Sequence, residues 1–288
     1  MSEILAPILY RFPQLSLPVL EGMSRSDVYL DIVRRGRLPK EIDDPFHGSP
    51  RDEICTEETP IGPVELIHLG DRADFVRFVQ AMVHRCEPVA IPASMGAVTI
   101  TGVTNWRKIQ AHRAGWIVAH PGGNWAEEFK RFTADPKNYK DALLLVSDGP
   151  YSAVPAAELG LEEDDWLEKS LRLRSFHELA HMVSRTLWPE NQEAIRDEIS
   201  ADCIGLIAAF GRFDPSPALR LLGLKGETYL PGGRLQNYIP EELPDETLLE
   251  KVRRQVGRLS ALWQERPAEP FDFLRIIEEE KIGLEEFK

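Results

Sequence analysis

The chain is 288 residues long, 43% of them hydrophobic and 28% charged, with a formal net charge of -13. This length fits one large domain or two modest ones, and the composition is that of a globular protein rather than a disordered one. The excess of acidic residues argues against non-specific electrostatic binding to nucleic acid or to an anionic membrane. No apolar run approaches the roughly 18 residues expected of a membrane span.

The cysteines Cys55, Cys86 and Cys203 are odd in number and lack C-x-x-C spacing. This pattern argues against a disulfide framework and against a cysteine zinc site. The first residues contain neither a basic region nor a long apolar stretch, so no secretory signal is indicated. We therefore expect a cytoplasmic protein with no nucleic-acid or membrane partner, and the sequence leaves its oligomeric state open.

The first half of the chain mixes short helices with strands. Prolines break the first 65 residues or so, whereas apolar periodicity further on is clearer. Helices are expected over residues 24–35, 71–85, 105–113 and 125–132, and strands over 89–91 and 97–101. The apolar run 142–146, ended by Asp148-Gly149-Pro150, predicts a buried strand followed by a turn.

The second half is predicted to be helical. A long helix over residues 164–188 is stopped by Pro189, and a second helix over 193–210 ends at Gly211. A loop rich in glycine and proline is expected over residues 222–244. Two further helices close the chain, near 245–265 and 271–281. This order of elements, mixed and then helical, predicts an α+β fold.

The long helix carries the sequence His177-Glu178-Leu179-Ala180-His181. Histidines four residues apart on a helix project from one face, so both imidazoles can reach one metal ion. Glu178 lies beside this pair but off the ligand line, where its carboxylate can take a proton from a metal-bound water. The alternative is an ordinary helix with one exposed histidine, one packed histidine and a solvated glutamate.

The following helix places two carboxylates, Glu198 and Asp202, at the same four-residue spacing. Only residues 189–192 separate the two helices, so we expect them to pack as antiparallel neighbours. Two carboxylates entering an apolar helix are costly to bury unless they meet cations or a metal. Because hydrolytic zinc sites commonly combine two histidines with one carboxylate, Glu198 fits the third ligand and Asp202 an acceptor that orients a ligand imidazole.

His-Glu-Leu-Ala-His followed by Glu-Ile-Ser-Ala-Asp resembles the gluzincin metallopeptidases, the clan that includes thermolysin. The resemblance covers roughly residues 164–211. It implies a zincin-like fold, in which a small mixed or antiparallel sheet packs on the active-site helix. It also implies zinc held by His177, His181 and Glu198, with Glu178 as general base and Asp202 supporting His177.

The resemblance also suggests a division of the chain into three parts. Residues 1–70 would form a proline-rich segment, 71–211 a zincin-like catalytic core, and 212–288 a helical region covering the cleft. In gluzincins a strand edge beside the metal receives the substrate backbone, and residues 146–149 could supply such an edge. The all-apolar run that precedes them favours an interior strand instead.

Thermolysin-like enzymes use a downstream histidine to stabilise the oxyanion, but His181 is the last histidine of this chain. Other gluzincins use a tyrosine hydroxyl, which makes Tyr238 and Tyr229 alternatives for this role. Arg234, between them, is a candidate clamp for a substrate carboxylate. Each tyrosine can equally be a packing anchor of its loop.

The sequence thus predicts a cytoplasmic zinc metallopeptidase that cleaves a peptide or protein substrate at a peptide or other amide bond. Zinc would polarise the scissile carbonyl and acidify its bound water, and Glu178 would carry the proton to the leaving amine. The alternative is an H-E-x-x-H zinc protein of restricted or no activity that regulates or binds a partner.

Overall fold

The computed structural model describes residues 4–239 and 243–287. The fold is α+β, with a small mixed sheet in the N-terminal half and a helical C-terminal half, which confirms the predicted class. The chain divides into two compact units. The first contains the chain up to Thr56 together with Glu65–Ser147, and the second contains Glu57–Val64 and the chain from Asp148 onward. The boundary at Ser147 falls inside the expected 71–211 core, because the sheet and the motif helix belong to different hydrophobic cores.

The first unit is built on a mixed sheet. Its strands are β1 (Glu53–Glu57), β2 (Val64–Leu69), β3 (Ala97–Thr104) and β4 (Lys140–Ser147), in the spatial order β1-β2-β4-β3. β2 runs parallel to β4, and β3 runs antiparallel to it. Leu143–Val146 are at most 1% exposed, which confirms the predicted buried strand. Because Val146 pairs with both His68 and Ala97, β4 is an interior strand and cannot add a substrate strand at an edge.

Helices of the first unit are α1 (Ala6–Arg11), α2 (Asp27–Val33), α3 (Arg72–Met82), α4 (Trp106–Ala119) and α5 (Trp125–Thr133). α2 to α5 confirm the predicted helices. The α2 and α3 helices begin at the side-chain caps of Ser26 and Asp71, which accept hydrogen bonds from backbone N–H groups of the first turn.

Two strand predictions in this unit need correction. Residues 89–91 form no strand, because Pro88 and Pro92 flank the segment and cannot donate ladder hydrogen bonds. The strand expected over 97–101 continues to Thr104 through a register shift at Gly102, whose φ of +70° suits a glycine. Sequence patterns also did not predict α1, β1 and β2, since these elements are short and lie among the prolines of the first 70 residues.

The second unit is mainly helical. Its helices are α6 (Glu163–Leu187), α7 (Ala194–Phe210), α8 (Pro215–Leu222), α9 (Glu246–Glu265), α10 (Pro270–Glu279) and α11 (Leu284–Phe287). Two short strands, β5 (Leu224–Lys225) and β6 (Thr228–Tyr229), pair inside the segment expected to be a loop, whose residues 240–242 lie outside the described part. α8 was not predicted, whereas α6, α7, α9 and α10 confirm the expected helices. Across residues 4–239 and 243–287, no helix has both the length and the apolar character needed to cross a bilayer.

α6 and α7 pack closely and carry the chemistry-bearing motif. Gly205 on α7 makes this approach possible, because a Cβ there would lie 2.6 Å from the carbonyl oxygen of Leu173 on α6. A buried ion pair ties α7 to α10, with Arg196 Nη1 3.0 Å from Glu278 Oε2. The helix α7, which bears Glu198, is therefore held by close packing on α6 and by a buried ion pair to α10.

Candidate metal centre

His177 and His181 lie one turn apart on α6 and are 6% and 7% exposed. Their Nε2 atoms are 3.1 Å apart, so both rings present the same nitrogen to one point. Glu198 on α7 completes the group, with its Oε2 3.4 Å from His177 Nε2 and its Oε1 3.2 Å from His181 Nε2. The structure thus brings together the three predicted ligands.

The spacing of these donor atoms fits a zinc ion. Two ligands bound tetrahedrally at about 2.0–2.1 Å are about 3.3 Å from each other. The two Nε2 atoms are 3.1 Å apart, and the nearer Glu198 oxygen of each histidine, Oε2 for His177 and Oε1 for His181, lies 3.4 and 3.2 Å away, close to that distance. Two neutral imidazoles and one carboxylate are also a donor set typical of hydrolytic zinc. The residues present therefore suit the ion that the sequence suggested.

Asp202 lies one turn beyond Glu198 on α7 and is 1% exposed. Its Oδ1 is 3.0 Å from Nδ1 of His177. An imidazole that donates its Nδ1 proton to a carboxylate presents the Nε2 lone pair to a metal. Asp202 therefore lies where its carboxylate can accept the Nδ1 proton of His177, the contact that the sequence predicted.

The electrostatics of the cluster favour a cation. Burial acts to lower the pKa of His177, but hydrogen bonds to Asp202 and Glu198 outweigh it and raise this pKa to about 9. Burial acts in the opposite sense on Glu198, yet hydrogen bonds from His177 and His181 hold the pKa of that carboxyl well below its usual range. The cluster thus attracts positive charge strongly, as a proton on His177 or as a metal ion.

Tyr151 belongs to this site, although the sequence analysis did not select it. Its hydroxyl donates to Asp202 Oδ1 at 2.7 Å and lies 2.9 Å from His177 Nδ1. Two non-glycine residues with positive φ, Ser152 at 52° and Ala153 at 55°, form the turn that follows it. The backbone N–H of Tyr151 donates to Ser170 Oγ at 3.0 Å, which anchors that turn to α6. No spacing rule links such a turn to the motif, so the sequence held no signal for it.

Arg234 contacts other residues of the site and is not available to bind a substrate. Its guanidinium donates to Oδ2 of Asp202 and to the Tyr151 hydroxyl, and its side chain is 13% exposed. Against the effect of burial, the charge of Arg234 helps to hold the pKa of Asp202 below its usual range. The structure does not leave this arginine free for a substrate carboxylate, because a buried carboxylate of the chain already occupies it.

The two tyrosines proposed for the oxyanion occupy different surroundings. Tyr238 donates from its hydroxyl to Glu198 Oε2 at 2.8 Å, directly beside the ligand cluster. Tyr229 instead donates to the carbonyl of Gly233 at 2.7 Å and accepts from the backbone N–H of Gln236. The structure therefore brings Tyr238 to the metal centre and uses Tyr229 as an anchor within its own loop.

Glu178 is half-buried and follows His177 on α6. In the described part of the chain its carboxylate has neither a hydrogen-bond nor an ion-pair partner, unlike those of Glu198 and Asp202. A carboxylate that adjoins a ligand histidine and keeps its lone pairs free can accept a proton. This is the property that a general base at this site requires.

A second group of residues with metal-ligand chemistry lies in the first unit. His47, Asp71 and Asp74 place one donor atom each within 4.8 Å of one another. Asp74 already accepts from the backbone N–H groups of His47 and Gly48, and Asp71 caps α3. Because both carboxylates already accept hydrogen bonds from backbone N–H groups, we interpret the group as an anchor of the loop and not as a metal site.

Comparison with known proteins identifies one family. Residues 5–260 match the family described as a family of unknown function, DUF7005. No curated protein matches the chain, and no solved structure matches it.

Proposed function

The chain belongs to DUF7005, a family of unknown function, and from its site we propose that it is a zinc-dependent hydrolase. The reaction would be that of a metallopeptidase, cleavage of a peptide or other amide bond in a peptide or protein substrate. We propose the cytoplasm as its compartment, in keeping with Cys55, Cys86 and Cys203, none of which forms a disulfide bond in the described residues.

One observation carries this proposal. His177 and His181 present their Nε2 atoms 3.1 Å apart, and Glu198 places a carboxylate oxygen 3.2–3.4 Å from each of them, between two packed and largely buried helices. A buried cluster of this kind is costly unless a cation joins it. Coincidental histidines on a helix surface would not be enclosed, and they would not meet a carboxylate from a second helix.

Bound zinc supplies a Lewis acid and a water acidic enough to attack an amide at neutral pH. The residues of the chain would do the rest. Glu178 accepts the proton of the attacking water and donates it to the leaving amine. The Tyr238 hydroxyl, kept protonated because burial raises its pKa, donates a hydrogen bond to the developing oxyanion.

Asp202, Tyr151 and Arg234 would serve as positioning residues. Asp202 holds His177 in the tautomer that leaves Nε2 free, and Tyr151 donates to the same carboxylate oxygen. Arg234 donates to the other oxygen and neutralises the charge of Asp202. A network of this kind keeps ligand side chains in a single orientation before the metal arrives.

Elemental analysis of the purified protein tests the metal centre. We expect about one zinc per chain in the parent protein and none in His181→Ala, because two ligands cannot retain the ion at a useful affinity. His120→Ala is the matched control, since His120 is exposed and lies in the first unit. If the parent chain contains no metal after zinc is supplied, the hydrolase proposal fails.

Turnover of a peptide library tests the chemistry. Glu178→Gln should lower kcat by about 10²–10⁴-fold while zinc content stays at the parent value. Glu168→Gln, an exposed change on the same helix, should leave both unchanged. Full activity in Glu178→Gln would refute the mechanism. Stoichiometric zinc with capture of one partner and no cleavage would favour the regulatory alternative.

A further inference from the structure

A cavity of about 580 Å³ lies in the first unit, lined by residues of α2, the end of α3 and β3. This volume falls within the range of small-molecule sites. Three arginines, Arg11, Arg34 and Arg85, line this cavity. Among the described residues, no aspartate or glutamate does. In a chain with a net charge of -13, a cavity with only basic charges at its wall favours an anionic ligand.

The three arginines differ in how far the chain neutralises them. Arg11 pairs with Glu65 and lies 3.6 Å from Asp141. Arg34 and Arg85 are exposed, and among the described residues neither forms an ion pair or a hydrogen bond through its side chain. The positive charge available to a ligand is therefore that of these two guanidinium groups.

Two neighbouring arginines that follow α2 differ from Arg34 because they form ion pairs. Arg35 and Arg37 both donate to Asp31, so their charges are compensated. Arg34 lies next to Arg35 in the chain but lines the cavity instead. One arginine of this basic run thus borders the cavity while remaining exposed, and the other two pair with Asp31.

A tyrosine hydroxyl in the cavity wall also lacks a partner. Tyr29 is 7% exposed, and in the part of the chain that the structure describes its hydroxyl forms no hydrogen bond. Burial raises the pKa of Tyr29, whereas the charges of Arg85 and Arg34 act to lower it. All three residues line the same cavity. The hydroxyl oxygen is not enclosed by protein, so it can donate a hydrogen bond to a ligand in the cavity.

The backbone that carries Arg85 is held in an uncommon conformation. Arg85 and Cys86 have φ angles of 57° and 62°, in the region that favours glycine. Two hydrogen bonds maintain this turn, from Cys86 N to the carbonyl of Gln80 at 2.9 Å and from Leu20 N to the carbonyl of Cys86 at 3.0 Å. Strained turns persist where the surrounding structure fixes them, and they cluster at ligand sites.

We propose that this cavity binds a small organic molecule through a phosphate monoester group, with Arg34 and Arg85 as the charged contacts and Tyr29 as a hydroxyl donor. Guanidinium groups match the oxygens of a phosphate in a bidentate geometry, and two of them compensate its double charge. The volume beyond the phosphate leaves room for the organic part of the ligand. This site is independent of the proposed hydrolase activity.

Calorimetric titration of the full chain with phenyl phosphate tests the proposal. We expect saturable binding, weaker binding of inorganic phosphate, and no binding of phenol. Arg34→Gln/Arg85→Gln should weaken the binding of phenyl phosphate at least about tenfold, since each charge-assisted contact is lost. Arg35→Gln/Arg37→Gln removes the same charge outside the cavity and should bind like the parent protein.

Several outcomes would overturn the proposal. One is the absence of binding at millimolar phenyl phosphate, and another is equal weakening in both double variants, which would indicate a general effect of charge. Benzoate that binds as tightly as phenyl phosphate would contradict the assignment of a phosphate. Because all four substituted arginines are exposed or only partly buried, unchanged thermal unfolding of both variants is the check that each has folded.

Discussion

The candidate metal centre is assembled from two kinds of chain segment. The packed helices α6 and α7 supply the donor atoms, whereas the strained turn at Tyr151 and the short 3₁₀ helix Arg234–Tyr238 supply Tyr151, Arg234 and Tyr238. Spacing along a helix fixes which side chains share a face before any tertiary contact forms. The turn and the 3₁₀ helix have no such fixed relation to the motif, because only tertiary contacts bring their side chains to Asp202 and Glu198. In the proposed metal centre the helices would supply the ligands, and these two segments would restrain the ligand side chains.

Among the variants that compare the two kinds of segment, we expect the largest effect at Tyr238. Tyr238→Phe should lower the turnover of a peptide substrate about a hundredfold, because one hydrogen bond to the oxyanion is lost. Zinc content should stay at the parent value, since all three ligands remain. The measurement is kcat beside elemental analysis of the same sample.

Tyr229→Phe is the control for this change, because it removes the same atom from the same loop. Its hydroxyl bonds to Gly233 and Gln236 and not to the metal ligands, so turnover should remain near the parent rate. If both variants lose activity to the same degree, the loop acts only through its stability. In that case the distinction between the two tyrosines is lost.

The next prediction concerns how the close contact between α6 and α7 contributes to the stability of the fold. Gly205→Ala should lower the free energy of unfolding by about 2 kcal/mol, because its Cβ would press on the backbone of Leu173 and drive α6 and α7 apart. Gly257→Ala on α9 is the matched control. It has open space around it and should raise stability by about 0.5–1 kcal/mol.

Denaturant unfolding of the zinc-free protein measures both changes without interference from metal binding. A stabilised Gly205→Ala variant would show that the two helices can separate slightly without strain. The donor distances across α6 and α7 would then not depend on this close approach.

The same contrast explains how much could be predicted from the sequence. His177, His181, Glu198 and Asp202 were visible because helical periodicity converts spacing in the chain into proximity in space. The α+β class and the buried strand at 142–146 followed from apolar patterns in the same way. β1, β2 and α8 escaped prediction, since short elements among prolines carry too little periodicity.

Long-range contacts could not be predicted by such rules. Tyr151 precedes the motif by 26 residues, and only the folded turn brings it to Asp202. Arg234 was a candidate clamp for a substrate carboxylate, yet it pairs with the buried carboxylate of Asp202. Neither contact has a signature in local sequence, because both depend on where distant segments meet.

The smallest effect we expect tests whether Tyr151 acts on the metal through Asp202. Tyr151→Phe should weaken zinc binding about tenfold, the lower end of what outer-shell partners of zinc ligands contribute. Competition with a chelator of known affinity measures the change, and Tyr229→Phe should show none. In an Asp202→Asn background, the same Tyr151→Phe change should cost little more, because the carboxylate it restrains is already gone. Additive losses would mean that Tyr151 stabilises the site by packing against His177 and not through Asp202. The turn would then contribute packing to the site without restraining the orientation of its ligands.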